Sequence, residues 1–283
     1  MYQFPIGVMV DSFKLEIHEA IKEAARIGAK GLQMYCTKGE NAPENLVGQK
    51  RRDLLNYVKD NGLVFSAICG DLGMGFMKKE LNPSLIEKSK RIMELAKELE
   101  TDVVTTHIGV IPADKNHDRY KIMQEACFEL SQYADSMGAH FAIETGPERA
   151  DVLKMFLDDL GSTGVAVNLD PANFVMVTGD DPVAAVHTLK KYIVHTHAKD
   201  GLKLKECNPE IVYRAIEHDQ WDREVTFREV PLGQGSVDFA NYLKALEEIG
   251  YKGFLTIERE CGANPSADIQ LAADYLRQII RNN

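Results

Sequence analysis

Several features that mark particular protein classes are missing from this chain of 283 residues. Basic residues are in deficit, with 33 Lys and Arg against 43 Asp and Glu, so the net charge is −10. This balance argues against nucleic acid as the default partner. No apolar run approaches the length of a membrane span, and the first residues lack the basic and apolar regions of a signal peptide. We therefore expect a cytoplasmic protein without a membrane partner.

Cysteine is scarce and scattered. The five cysteines form no CxxC pair and no zinc-ribbon spacing, and they are Cys36, Cys69, Cys127, Cys207 and Cys261. An odd number of widely spaced thiols predicts reduced cysteines in a reducing compartment.

Short apolar segments rich in β-branched residues alternate with amphipathic helical segments along the whole chain. The predicted strands are Ile6–Val10, Gly31–Tyr35, Leu63–Cys69, Val103–His107, His140–Glu144, Val165–Asp170, Tyr192–His197 and Gly253–Glu258. Eight such strands in this length predict a single-domain α/β protein, a (β/α)8 TIM barrel. An open doubly wound sheet is the alternative. It predicts a glycine-rich phosphate loop after the first strand, and the sequence has none there.

Four of the predicted strands end in a potential metal ligand, namely Glu144, Asp170, His197 and Glu258. A carboxylate at the end of one strand means little, and a lone histidine is more often a hydrogen-bonded core residue. Parallel barrel strands gather their ends at one face, however, so four such ends together indicate a metal site. Carboxylates with one imidazole suit a divalent ion such as Mn²⁺, Mg²⁺ or Co²⁺.

Two further features surround this pattern. His195 lies two residues before His197 and therefore points the same way on a strand, one layer deeper, where we expect a supporting role. The segment from Asp200 to Gly235 is too long for a plain connection, and we expect it to cover the barrel mouth or to form a subunit contact. Trp221 in this segment either packs over a sugar or holds the segment down.

Five motifs together resemble the xylose isomerase-like barrels. They are IET at Glu144, NLDPAN at Asp170, HTHAKD at His197, PLGQGSVDF at Pro231–Phe239 and TIERE at Glu258. The resemblance covers residues 1–283, with a long β7–α7 loop at about 200–235. That family contains sugar and sugar-phosphate isomerases and epimerases, including ketose 3-epimerases, hydroxypyruvate isomerase and inosose dehydratase.

The resemblance implies that Glu144, Asp170, His197 and Glu258 bind one divalent metal ion, with Mn²⁺ the first choice and Mg²⁺, Co²⁺ or Zn²⁺ as alternatives. It also implies that the two glutamates are the catalytic acid and base. Ketose epimerases usually carry a histidine three residues after the metal-binding aspartate, where this chain has Asn173. The additional histidines of the endonuclease branch are missing, which disfavours DNA repair.

The expected activity is therefore metal-dependent isomerisation or epimerisation of a sugar or sugar phosphate. A base would remove a proton next to a carbonyl, giving an enediolate. A dehydratase or lyase acting on a keto-sugar or inosose is the alternative, and a non-catalytic sugar-binding barrel is a third interpretation. A homo-oligomer is compatible with all three.

The candidate substrate-binding residues are His107, Glu148, Asn173, Lys199 and Arg228. Four of them also have a structural interpretation. His107 could be a hydrogen-bonded barrel histidine, Lys199 could pair with an acid, and Arg228 could be a solvated loop charge. A glutamate in a first helical turn, such as Glu148, stabilises a helix without any ligand.

Overall fold

Eight parallel strands close into a barrel in the computed structural model, which describes residues 2–216, 218 and 223–282. In chain order the described strands are Ile6–Met9 (β1), Gly31–Tyr35 (β2), Val64–Cys69 (β3), Val103–Thr106 (β4), His140–Glu144 (β5), Val165–Leu169 (β6), Ile193–Ala198 (β7), Asp200–Lys203 (β8), Phe227–Val230 (β9) and Leu255–Ile257 (β10). The order around the barrel is β1-β10-β7-β6-β5-β4-β3-β2. The predicted (β/α)8 barrel is thereby confirmed.

Helices connect the barrel strands on the outside. The described α-helices are Ile17–Arg26 (α1), Gly48–Asp60 (α2), Asn82–Glu98 (α3), Asp118–Met137 (α4), Ala150–Leu160 (α5), Pro171–Asn173 (α6), Pro182–Leu189 (α7), Pro209–Val212 (α8), Arg223–Thr226 (α9), Phe239–Glu248 (α10) and Pro265–Asn282 (α11). Among the described residues, none of the helices combines the length and the apolar character needed to cross a membrane.

The barrel strands are buried on both faces because the helices cover their outer side. Every residue of β6 is buried, for example, and so is every residue of β1. This explains why the strands read as nearly continuous apolar runs in the sequence. Polar residues within such runs are therefore the exceptions that need a partner.

Two of these exceptions coincide with irregularities in the strand pairing. The register between β2 and β3 shifts between Leu32 and Gln33, and that between β6 and β7 shifts between Val167 and Asn168. A bulge re-aims the side chain next to it. Gln33 and Asn168 are both fully buried, and both contact histidines described below.

The segment after β7, which is too long for a plain connection, contains secondary structure of its own. It begins with β8, returns as β9, and the two pair antiparallel in a separate two-stranded sheet. The Asp200 carboxylate fixes its base by accepting hydrogen bonds from the backbone N–H groups of Gly201, Gly233, Gly235 and Val237, at 2.9 to 3.1 Å. This one side chain joins the HAKD motif to the GQGSV motif.

Candidate active site

Four neighbouring strands bring the predicted metal ligands together. Glu144 ends β5, Asp170 follows β6, His197 lies in β7 and Glu258 follows β10. The barrel order β10-β7-β6-β5 makes these strands consecutive neighbours. One ligand atom from each residue lies within 4.8 Å of all the others, and none of the four residues is more than 7% exposed.

The donor atoms around His197 fit a cation. Its Nδ1 lies 3.7 Å from Glu144 Oε1, 3.5 Å from Asp170 Oδ2 and 3.4 Å from Glu258 Oε2. Ligand bonds of about 2.0–2.3 Å place neighbouring donors at such separations. Asp170 Oδ2 and His197 Nδ1 are buried without a hydrogen-bond partner, which is costly unless another group satisfies them. The cluster therefore has the chemistry and the spacing to bind a divalent metal ion.

The other ring nitrogen of His197 has two neighbours inside the barrel. Nε2 lies 3.1 Å from Gln33 Oε1 and 3.3 Å from Asn168 Nδ2. Donation to the Gln33 oxygen, the shorter contact, leaves Nδ1 bare as a candidate metal ligand. The amide nitrogen of Gln33 in turn donates to Thr105 Oγ1 at 2.7 Å. Both partners are fully buried, so this orientation is held from within the barrel.

His195 occupies the layer beneath His197, as its spacing on the strand predicts. Its Nδ1 lies 2.8 Å from Asn168 Oδ1, and its Nε2 lies 2.9 Å from Thr256 Oγ1. Burial, followed by the charge of His197, lowers the pKa of His195 well below its ordinary value. His195 is thus a neutral histidine whose two ring nitrogens are both engaged in hydrogen bonds.

Charges within the cluster compensate one another. Burial alone would lower the pKa of His197, but Glu258 and Glu144 outweigh it and hold that pKa well above its usual range. Burial would raise the pKa of Glu258, but Lys199 and His197 hold it well below its usual range. Lys199 Nζ lies 2.8 Å from Glu258 Oε2 and 2.9 Å from Glu260 Oε2. Glu258 therefore remains ionised beside a charged lysine.

A cavity of about 280 Å³ opens above this cluster. Small-ligand sites typically span about 300–1,000 Å³, so the cavity suits a compound of monosaccharide size. The lining combines polar and charged side chains with apolar ones. The lining residues are Tyr35, His107, Glu144, Asn173, Met176, Val177, Lys199, Val212, Tyr213, Arg214, Phe227, Glu258 and Glu260.

His107 stands at the cavity wall in a dyad with Asp71. Its Nδ1 lies 3.2 Å from Asp71 Oδ2, while its Nε2 faces Glu144 Oε1 at 3.8 Å and has no hydrogen-bond partner. Burial lowers the pKa of His107, but Glu144 and Asp71 outweigh it and raise that pKa to about 9. Tyr213 packs over the ring at a centroid distance of 5.4 Å. Nε2 is thus a donor turned toward the cavity.

The remaining predicted substrate contacts separate into two groups. Asn173 and Lys199 line the cavity, and Asn173 Nδ2 donates to Glu144 Oε1 at 3.0 Å. Glu148 is buried outside the lining and accepts from the backbone of Ile111, while Arg228 lies exposed on β9 opposite Leu202. Trp221 lies outside the described residues.

The comparison with known families agrees with this geometry. Residues 21–279 match the sequence model of a family described as "Xylose isomerase-like TIM barrel". The chain belongs to this family.

Similar proteins carry several different names. The xylose isomerase domain protein from Planctomyces limnophilus superposes with a TM-score of 0.80 at 25% identity, over 99% of both chains. The probable 3-DHS dehydratase AsbF from Bacillus anthracis has a TM-score of 0.75 at 18% identity, over 97% of this chain and 99% of that one. The inosose dehydratase of Clostridium beijerinckii is 24% identical over 170 residues, which are 58% of this chain and 55% of that enzyme. At 18% identity, the match to AsbF concerns the fold alone.

Within this xylose isomerase-like barrel, several site residues were not predicted. Gln33 and Asn168 carry a weak signal, since each interrupts an otherwise apolar strand. Tyr213 and Arg214 carry none, because they reach the cavity through a turn after α8. Residues of the long segment after β7 therefore form the cavity roof, defined here as residues 208–214.

Proposed function

We propose that this protein is a divalent-metal-dependent isomerase or epimerase of a sugar or sugar phosphate. The observation that supports this most directly is the convergence of Glu144, Asp170, His197 and Glu258 at the floor of a monosaccharide-sized cavity. Two of their ligand atoms, Asp170 Oδ2 and His197 Nδ1, are buried without a hydrogen-bond partner. A site built only for stability would leave neither atom unsatisfied.

The proposed reaction removes a proton from a carbon next to a carbonyl. Such a proton is weakly acidic, so a base must touch it and positive charge must stabilise the enediolate that forms. A divalent ion, when bound, would supply that charge to the carbonyl and neighbouring hydroxyl oxygens. The residues of the chain would orient the substrate and move the proton.

Glu144 and Glu258 are the proposed acid and base. They follow β5 and β10, with β6 and β7 between these strands, so they approach the cavity from different sides. Asn173 holds one carboxylate and Lys199 the other. Proton removal by one glutamate and return by the other would invert a carbon, whereas return to the neighbouring carbon would isomerise the sugar.

Three lining residues are proposed as substrate contacts. His107 Nε2, Asn173 and Lys199 present hydrogen-bond donors to the cavity, where substrate oxygens would lie. Donors aimed at an oxygen that gains charge stabilise the transition state more than the ground state. Neither Glu148 nor Arg228 is among the residues that line the cavity. The substrate contacts expected of these two residues stay predictions.

Elimination is the second candidate. It would use the same base but expel a β-hydroxyl group as water, giving an unsaturated ketone. Two observations favour it, namely the curated inosose dehydratase among the relatives and Asn173 at the position where ketose epimerases usually have histidine.

The test is NMR in D₂O with the Mn²⁺-loaded protein and a panel of ketoses, ketose phosphates and an inosose. Isomerisation or epimerisation incorporates deuterium at carbon and retains every oxygen, whereas elimination loses one. No reaction with any member would count against both candidates.

Two types of variant separate proton transfer from metal binding. Glu258→Gln and Glu144→Gln should each lose about 10²–10⁴-fold in turnover even at saturating Mn²⁺, because a general base is removed. Asp170→Asn should mainly weaken metal affinity and should recover substantially at high Mn²⁺. Full activity of both glutamine variants at saturating metal would refute the two-glutamate mechanism.

A further inference from the structure

The cations of the cavity differ in how their charge is compensated. Lys199 pairs with Glu258 and Glu260, and His107 pairs with Asp71. Arg214 also lines the cavity, and within the part of the chain that the structure describes its side chain has no ion-pair or hydrogen-bond partner. The Arg214 guanidinium is exposed at the cavity and is not paired with a carboxylate, so it is available to bind a ligand.

Several contacts fix the roof segment that carries Arg214. The backbone of Arg214 has φ +57°, in the left-handed region that L residues adopt at an energetic cost. Four residues before it, Glu210 forms an ion pair with Arg119 of α4. Tyr213 packs over His107 next to it. The side chain of Arg214 thus starts from a held backbone rather than from a loosely packed loop.

The rest of the described lining is less favourable for a free anion. His107 and Lys199 are already paired with carboxylates, Glu144, Glu258 and Glu260 contribute negative charge, and Met176 and Phe227 are apolar. The whole chain carries a net charge of −10, which repels anions in general. An anionic ligand would therefore need an unpaired cation, and arginine suits planar bidentate binding of carboxylate or phosphate.

We infer that the substrate carries an anionic group, a phosphate or a carboxylate, which Arg214 binds at the cavity mouth while the reacting carbons lie over the metal cluster. This inference rests on the proposed function and narrows it to sugar phosphates or sugar acids. The cavity volume of about 280 Å³ limits the compound to one monosaccharide unit with its anionic group.

The test compares D-fructose, D-fructose 6-phosphate and D-fructuronate, which share the reacting hydroxyketone and differ only at the far carbon. Binding to the Mn²⁺-saturated protein is measured by calorimetry, which needs no turnover. At least one anionic compound should bind about tenfold or more tightly than fructose, because a charged hydrogen bond is added. The tighter of the two identifies phosphate or carboxylate as the recognised group.

Arg214→Met and Arg214→Gly should abolish this preference, because affinity for the anionic compounds should fall much more than affinity for fructose. The glycine variant also relieves the left-handed backbone, so agreement between the two assigns the effect to the side chain. Arg214→Lys should retain part of the preference. Equal affinity of all three compounds for the wild-type protein, failure of all three to bind, or an equal loss for all three in Arg214→Met would overturn the inference.

The anion-binding test and the test of the proposed reaction can fail independently of each other. An anion preference that disappears in the Arg214 variants, without deuterium exchange in any compound, would leave the anion site standing and refute the reaction. Exchange confined to neutral ketoses would support the reaction and refute the anion site.

Discussion

Substitution of Asp200 tests how the base of the long segment after β7 is held together. Each carboxylate oxygen accepts two backbone N–H groups, Oδ1 from Gly201 and Val237 and Oδ2 from Gly233 and Gly235. In Asp200→Asn one oxygen can still accept two of these bonds. The new NH₂ group would face the other two donors, which then lose their acceptor.

The size of the effect follows from these two donors. A buried polar group left without a partner costs about 1–3 kcal/mol, so two of them cost about 2–6 kcal/mol. Burial raises the pKa of Asp200 even though the N–H donors act in the opposite direction, so the buried charge itself is unfavourable. Removing that charge offsets part of the loss. We expect the free energy of unfolding to fall by about 2–4 kcal/mol.

The assay is urea unfolding followed by circular dichroism, with Asp181→Asn as the matched control. Asp181 caps α7 through one hydrogen bond from Val183 at an exposed position, where asparagine serves nearly as well. The control should therefore lose much less stability. A loss in Asp200→Asn no larger than in Asp181→Asn would refute the anchoring role.

Three further predictions concern stability and the roof. Burial raises the pKa of Glu148 from 4.5 to about 8. Its contribution to stability is therefore complete below pH 4.5 and is lost as the pH rises toward 8. Glu148→Gln should flatten this part of the curve of unfolding free energy against pH, and an unchanged slope would contradict the prediction. Mn²⁺ at about 100 times its dissociation constant should raise the free energy of unfolding by about 2.7 kcal/mol, and an equal gain in Asp170→Asn at the same metal concentration would argue against that ligand. Gly146→Ala places a Cβ 2.5 Å from Asn173 Cβ and 2.6 Å from Tyr213 Oη at φ +131°, and should raise KM by displacing these two cavity-lining residues. In the control Gly161→Ala, the new methyl group contacts nothing within 4 Å, so KM should not change, and a similar KM in both variants would exclude the steric effect.

The barrel and its ligand set were predictable because both depend on local patterns. Alternating apolar strands and helices define the fold, and parallel strands place Glu144, Asp170, His197 and Glu258 at one face whatever the packing details. The strand ends differ from the predicted ones by a few residues, as with β10, which spans Leu255–Ile257 rather than Gly253–Glu258. Such ends depend on pairing with the neighbouring strands, which composition alone does not fix.

Individual contacts of the cavity roof and the supporting layer were not predictable for physical reasons. Gln33 and Asn168 turn inward at pairing irregularities, which depend on the neighbouring strands rather than on their own sequence. Tyr213 meets His107 across 106 positions of sequence, and no local pattern specifies such a contact. The hairpin register leaves Arg228 exposed, and its substrate contact stays a prediction.

The hydrogen bond between Gln33 and Thr105 has a consequence for how mutations in this chain combine. Thr105 lies on β4, a strand that supplies none of the four candidate metal ligands, yet its hydroxyl orients the amide whose oxygen lies 3.1 Å from His197 Nε2. Replacing it with valine would free that amide to flip and present its NH₂ group to His197 Nε2 instead of its oxygen. The proton would then favour Nδ1, the atom that a metal needs bare. Substitutions on β4 and on β7 should thus have non-additive effects on metal binding. The preference for one divalent metal over another could change while all four candidate ligands stay the same.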